Sequence, residues 1–147
     1  MRLVDDVSAA MHARDRVANE LGFSIDRSEP GSATVSVTVT EPMTNGLGVC
    51  HGGIVFTLAD TAMAHASNAG NGATLAISAS IEWIRAARIG DRLTARSLVI
   101  ARRGRNSVHD IEVTNGDGDT VALVRGQTLT LNDAVVDTRL VHGDEYP

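Results

Sequence analysis

The sequence is short of several things that would point to particular classes of protein. It has one cysteine in 147 residues, so no intrachain disulfide can form and no cysteine pair is available to hold zinc. Only four residues are aromatic: Phe23, Phe56, Trp83 and Tyr146. The core must therefore be built from Val, Ile, Leu and Ala, and any specialised aromatic contact falls to one of those four. Basic residues are outnumbered thirteen to eighteen, for a net charge of −5. A nucleic-acid binder needs a basic surface to displace counterions, so that class is not expected. No apolar stretch is long enough to span a bilayer. The longest weakly polar run, residues 52–66, is interrupted by Asp60. The opening MRLVDDVSAAMHARDRV carries acids early and does not read as a secretory signal. The five histidines (His12, His51, His65, His109, His142) are scattered without an HxxxH pair, and no metal is expected. A cytoplasmic protein without a membrane or nucleic-acid partner is the expectation.

What is present suits one globular domain over residues 1–147, with a core at about 11–131 and a loosely held polar tail at 132–147. Val4, Val7, Met11, Val17 and Leu21 recur at helical spacing, which predicts one amphipathic helix over 4–21, ended by Gly22. ATVSVTV at 33–39 alternates strictly and predicts a half-buried strand. Residues 51–68, HGGIVFTLADTAMAHASN, are apolar nearly all round, as a helix buried on most sides must be. Only Thr57, Asp60 or Thr61, and His65 form a thin polar line. From Leu75 the period changes to two. Strands are expected at about 75–83, 92–102, 107–114 and 120–131, separated by turns at Gly90-Asp91, 102–106 and 115–119. One strand before a buried helix and an antiparallel meander after it predict an α+β hotdog fold, a sheet wrapped around a central helix.

The stretch from Asn45 to Asp60 holds the candidate chemistry. A helix opening with His51-Gly52-Gly53 has free N–H groups in its first turn and the positive end of its dipole. Glycine lets a substrate approach the backbone closely. These are the requirements of an oxyanion hole for a thioester or ester carbonyl, although the two glycines could serve only helix–sheet packing. Asp60 is a carboxylate in apolar surroundings, able to act as a base or nucleophile, or simply to cap a loop. Gly52 and Asp60 are eight residues apart, about 12 Å along one helix. Both can reach one carbonyl only if Asp60 comes from a second, antiparallel helix, so a symmetric dimer with two shared sites is expected. Asn45 is either a substrate-orienting amide or a turn residue. His51 donates to its loop or to substrate. Cys50 and His65 read as packed side chains. The turn Arg102-Arg103-Gly104-Arg105-Asn106 is the strongest basic cluster and suits phosphates, or is a solvated hairpin. Arg85 and Arg88 are weaker candidates.

The run from Thr44 to Asp60, together with SIEWIRAARIGDRLTA (80–95), GRNSVHDIEVTNGDGDTVALVRG (104–126) and HARDRVANELGF (12–23), resembles the hotdog acyl-CoA thioesterases of the phenylacetate-degradation (PaaI) group. The resemblance covers roughly residues 11–131. It implies hydrolysis of acyl-CoA thioesters, often phenylacetyl- or hydroxyphenylacetyl-CoA, without a metal; coenzyme A is part of the substrate and no cofactor is implied. It implies Asp60 as base or nucleophile, the Gly52 N–H as oxyanion donor and Asn45 as a polar residue at the reacting group. It places CoA along Trp83 and the turn from Ala101 to Asn106, and implies dimers that usually pair into homotetramers. Two positions depart from the group's usual pattern: Ala86 stands where proline is usual, and Trp83 where Phe or Tyr is usual. A water-positioning serine of some relatives falls on Ala76, with Ser78 two residues on. Other readings are a medium- or long-chain acyl-CoA thioesterase, a hydratase or dehydratase using His51 or His65, and an acyl-CoA sensor that does not hydrolyse.

Overall fold

The computed structural model describes residues 2–138; Tyr146 and His142 lie outside them. Six antiparallel strands form one sheet in the order β1-β2-β4-β5-β6-β3. They are β1 (Ser24–Glu29), β2 (Ser32–Thr38), β3 (Gly72–Trp83), β4 (Arg92–Arg103), β5 (Asn106–Thr114) and β6 (Thr120–Ala134). The helices are α1 (Leu3–Arg14), α2 (Arg16–Leu21) and α3 (Gly52–Asn68), with a 3-10 turn at Glu41–Met43. The sheet wraps α3, which packs on β2, β4, β3 and β5. Leu58, Ala59, Ala62 and Met63 of α3 are buried against Val35, Val37, Leu93, Ala95, Ile111 and Val113. Small residues on the helix allow the sheet to come close. At Gly126 a Cβ would collide with Met63 Sδ, so the missing side chain on β6 makes room for the methionine. The hotdog architecture and the buried helix are as expected.

Four details differ from the expectations. The N-terminal segment is two helices, because Asp15 leaves helical geometry (φ −83°, ψ 92°) and its carboxylate accepts the Ala18 N–H at 3.0 Å, starting α2 afresh. β1 precedes β2 and was not expected. Its sequence, SIDRSE, has one apolar residue, as an edge strand can. The strands after α3 are not a simple meander. β3 pairs with β6, not with β4, and sits at the sheet's other edge. The first residues of the tail, 132–136, are tied down, whereas 139–147 lie outside the described residues. β6 runs to Ala134, and Asn71, in the left-handed region at φ 77°, exchanges hydrogen bonds with the backbone of Val135 and Val136.

β3 also breaks its own alternation. Its register with β6 shifts between Ala76 and Ser78, so these two residues do not share a face as simple alternation would have it. Residues 75–80 are all exposed. Leu75 and Ile77 show 60% and 52% of their surface on a strand whose outer edge has no partner among the described residues. An unpaired apolar edge of this length is a template for another strand.

His65 of α3 is 1% exposed, and its Nδ1 lies 3.4 Å from Ser8 Oγ of α1. Burial first, then the neighbouring His12, push its pKa from 6.5 down to about 4, against a smaller opposing pull from Asp15. The unfolded ring protonates near 6.5 and the folded ring near 4. The stabilisation from the neutral ring is therefore complete above pH 6.5 and is lost as pH falls to about 4, amounting to at most about 3 kcal/mol. Urea unfolding at about pH 7 and about pH 4.5 is expected to show a smaller acid loss in His65→Gln than in the parent. Equal losses would place the acid sensitivity elsewhere.

Candidate active site

The loop before α3 is shaped by its own side chains. Asn45 Oδ1 accepts the N–H of Leu47 at 2.9 Å and of Val49 at 3.4 Å, so the carbonyl half of its amide closes the loop. Its Nδ2 has no acceptor among the described residues and remains able to donate. Both readings of Asn45, turn former and orienting amide, are thus compatible with one geometry. His51 is the N-cap of α3, and its Nδ1 accepts the Gly53 N–H at 3.0 Å. Of the two expected roles, donation to the loop or to substrate, the first does not occur among the described residues. The ring works as an acceptor for the helix, which leaves the proton of the neutral ring on Nε2.

The first turn of α3 can be accounted for donor by donor. Gly53 N–H goes to His51 Nδ1, and Ile54 and Val55 N–H go to the His51 carbonyl. Gly52 N–H alone has no acceptor among the described residues. Trp83, at the end of β3, lies directly on this glycine. Its indole N–H donates to the Gly52 carbonyl at 3.1 Å. A Cβ at Gly52 would stand 3.0 Å from Trp83 Nε1 and 3.1 Å from Cε2. A cleft of about 300 Å³ opens here, walled by Cys50, Gly52, Val55, Trp83 and residues 84–87, and so including Arg85. Arg88 is not among its walls; its backbone N–H is held by Asp91. Cys50 is buried, and burial with Asp91 nearby raises its pKa, so the thiol is a poor nucleophile.

Asp60 lies two turns further along α3, half-buried and without a hydrogen bond or ion pair among the described residues. Burial raises its pKa, and the charge of Asp15 at the start of α2 raises it further. Thr57 and Thr61 give their hydroxyl protons to carbonyls one turn back and offer none to Asp60. Asp15 was not legible as a neighbour of Asp60. It belongs to a helix break far earlier in the chain, and no spacing rule connects the two.

Of the expected site residues, one chain brings Asn45, His51, Gly52 and Trp83 to one end of α3. It does not bring the basic turn there. Arg102, Gly104 and Arg105 share a cleft of about 230 Å³ with Ala66, Ser67 and Gly70, at the opposite end of α3. Gly104 takes the turn's positive φ of 59°, Arg102 Nε donates to Ser107 Oγ at 3.3 Å, and Asn106 begins β5. A cleft of about 610 Å³ among Arg96, Leu98, Asp110, Leu123 and Arg125 contains no residue of α3. No group of metal-ligating side chains occurs among the described residues, and no helix there is long and apolar enough to cross a membrane.

A sheet wrapped around a helix that begins at His-Gly-Gly and carries a carboxylate two turns on defines the class of hotdog thioester hydrolases. Comparison with known proteins agrees. The model of the Thioesterase superfamily matches residues 47–122. Acyl-coenzyme A thioesterase PaaI of Escherichia coli (strain K12) is 42% identical over 119 residues, 81% of this chain and 85% of that protein. The structure of E. coli PaaI, from the phenylacetic acid degradation operon, superposes with a TM-score of 0.87 at 38% identity, covering 90% of this chain and 96% of that one. A mutant of phenylacetic acid degradation protein PaaI from Thermus thermophilus gives 0.76 at 32% identity, covering 80% and 100%. The chain belongs to the Thioesterase superfamily and is a thioester hydrolase.

Proposed function

We propose that this enzyme hydrolyses acyl-CoA thioesters of the aryl-acetyl type, such as phenylacetyl- and hydroxyphenylacetyl-CoA, as a homodimer with two shared sites. The observation that carries the reading is the accounting along α3: among the described residues, one first-turn N–H without an acceptor, at Gly52, and one unpaired carboxylate, Asp60, about 12 Å away on the same rigid helix. A second copy added antiparallel at the β3 edge sets the two α3 helices antiparallel and brings Asp60 of the partner subunit toward this Gly52. It also covers Leu75 and Ile77. In such a pair the basic turn of one subunit, at the far end of α3, approaches the Gly52 end of the other, where Arg102, Arg103, Arg105 and Asn106 can meet CoA phosphates. Pairing of dimers into a tetramer belongs to the same reading, as does a cytoplasmic location.

In the reaction, the Gly52 N–H and the helix dipole stabilise negative charge on the thioester oxygen. Asn45 Nδ2 and His51 Nε2, which have no acceptor among the described residues, are further donors available to the substrate. Asp60 takes a proton from water as the water oxygen attacks the carbonyl carbon. The C–S bond then breaks and the CoA thiolate recovers the proton. A thiolate leaves readily, so this route uses no strong acid, metal or cofactor. If Asp60 attacks directly, the CoA thiolate leaves and a mixed anhydride forms; water opening it at the Asp60 carbonyl in single-turnover hydrolysis leaves oxygen-18 in that carboxylate.

Free-thiol release measured across phenylacetyl-, hydroxyphenylacetyl- and straight-chain acyl-CoAs tests the substrate class. The aryl-acetyl thioesters are expected to give kcat/KM at least about 10-fold above the straight chains, the scale a shaped apolar pocket supports. Preference for medium or long chains would replace the acyl assignment. Tight binding without turnover of any of them would replace the enzyme with a sensor.

A further inference from the structure

We infer that Trp83 is a positioning residue for the oxyanion donor: with His51 it clamps the peptide that joins Gly52 to Gly53, and so fixes the direction of the free Gly52 N–H. The inference rests on the thioesterase reading above. It begins with the peptide plane. The carbonyl of the Gly52–Gly53 peptide accepts the Trp83 indole N–H at 3.1 Å, and its N–H is taken by His51 Nδ1 at 3.0 Å. Two side chains from different elements therefore hold the two polar ends of one planar unit. The neighbouring His51–Gly52 peptide is anchored at its carbonyl by Ile54 and Val55 N–H, and its own N–H is the free donor.

A clamp is needed because this helix begins with two glycines. Glycine has the widest backbone freedom of any residue, so an unrestrained Gly-Gly start would let the donor wander. A hydrogen-bond donor misplaced by a fraction of an ångström loses much of its effect on a developing charge. The absent side chain at Gly52 also makes the clamp possible, because a Cβ there would crowd the indole ring. Burial does not hold Trp83 in place. The residue is 55% exposed; its backbone is fixed by pairing with Ala122 in β6, and its ring by the bond to Gly52. Phenylalanine could lie on the glycine but cannot donate to the carbonyl.

Two measurements test this. Trp83→Phe keeps a ring on Gly52 and removes the donor. Its kcat with phenylacetyl-CoA is expected to fall about 10-fold with KM within about 2-fold of the parent. An unchanged kcat, or a raised KM alone, overturns the role. The second readout needs no turnover and no variant. Trp83 is the sole tryptophan, so the nitrogen-15-labelled protein gives one indole N–H signal. That proton is expected to exchange with solvent well below the rate of a free indole despite the exposed ring; exchange at the free rate overturns the clamp. Asp60→Asn serves as the control. If it stays active, the thioesterase assignment of Asp60 fails whatever Trp83 does. If it is inactive while Trp83→Phe is normal, only the clamp fails.

Discussion

Asp60→Asn is expected to lower kcat by about 10²–10⁴-fold, the range for removing a positioned general base, while raising the melting temperature at about pH 7. The two effects have one cause. Asp60 is half-buried, without a partner among the described residues and close to the charge of Asp15, so its folded pKa is raised. A carboxyl group with a raised folded pKa stabilises the fold fully below its unfolded pKa and loses that contribution as pH rises through the folded value. At neutral pH the ionised group therefore costs stability, and a neutral amide of the same shape relieves the cost. Loss of activity together with a gain in stability marks a residue kept for its chemistry. The parent's kcat/KM is correspondingly expected to fall on the acid side with a midpoint above the ordinary carboxylate value. Thiol release against pH and a thermal melt of each protein check all three statements. A variant that is both active and unchanged in stability would remove Asp60 from the site.

Mixing two inactive variants is expected to restore activity. Gly52→Val forces a side chain into the Trp83 ring and spoils the donor end of α3, whereas Asp60→Asn spoils the carboxylate. If each site takes Gly52 from one subunit and Asp60 from the other, a mixed dimer has one site with both lesions and one with neither. Random reassortment makes half the dimers mixed, so activity should recover to about a quarter of the parent's. If both residues of a site came from one chain, every site would keep a lesion and no activity would return. The measurement is thiol release after the two variants are unfolded together and refolded, compared with each refolded alone. In the proposed dimer the exposed edge of β3, a strand of 12 residues, is the pairing surface.

The parts of the fold that showed in the sequence were those whose burial imposes a period. α3 is enclosed on most sides, so its residues had to be apolar all round, and His-Gly-Gly marked its start. β2, β5 and β6 bury one face and alternate accordingly. β1 was silent because an edge strand with Ile25 as its single apolar residue imposes no pattern. The break at Asp15 was hidden because apolar spacing runs across it, although an Asp three residues before Ala18 was a capping signal in plain view. The place of β3 could not be read at all, since the strand nearest in sequence, β4, is not the one it pairs with. The site divides along the same line. Asn45, His51, Gly52 and Asp60 lie within one short stretch and were found together. The contact of Trp83 with Gly52 spans 31 residues, and the charge of Asp15 near Asp60 arises only once α1 and α2 have folded back over α3. The basic turn was identified by composition, but its distance from Gly52 within one chain could not have been.

The position of β3 also dictates the order in which a growing chain can mature. β3 leaves the ribosome immediately after α3, yet its only partner strand among the described residues, β6, is the last strand made, and Gly72 pairs with Ala134. Until that late segment appears, α3 has an uncovered flank, and Leu75 and Ile77 belong to a strand with neither of its edges matched. Closure must then proceed through a contact spanning most of the second half of the chain, the kind of non-local pairing that slows folding. Synthesis, closure of the sheet and, in the proposed dimer, pairing of subunits are then successive demands on one strand.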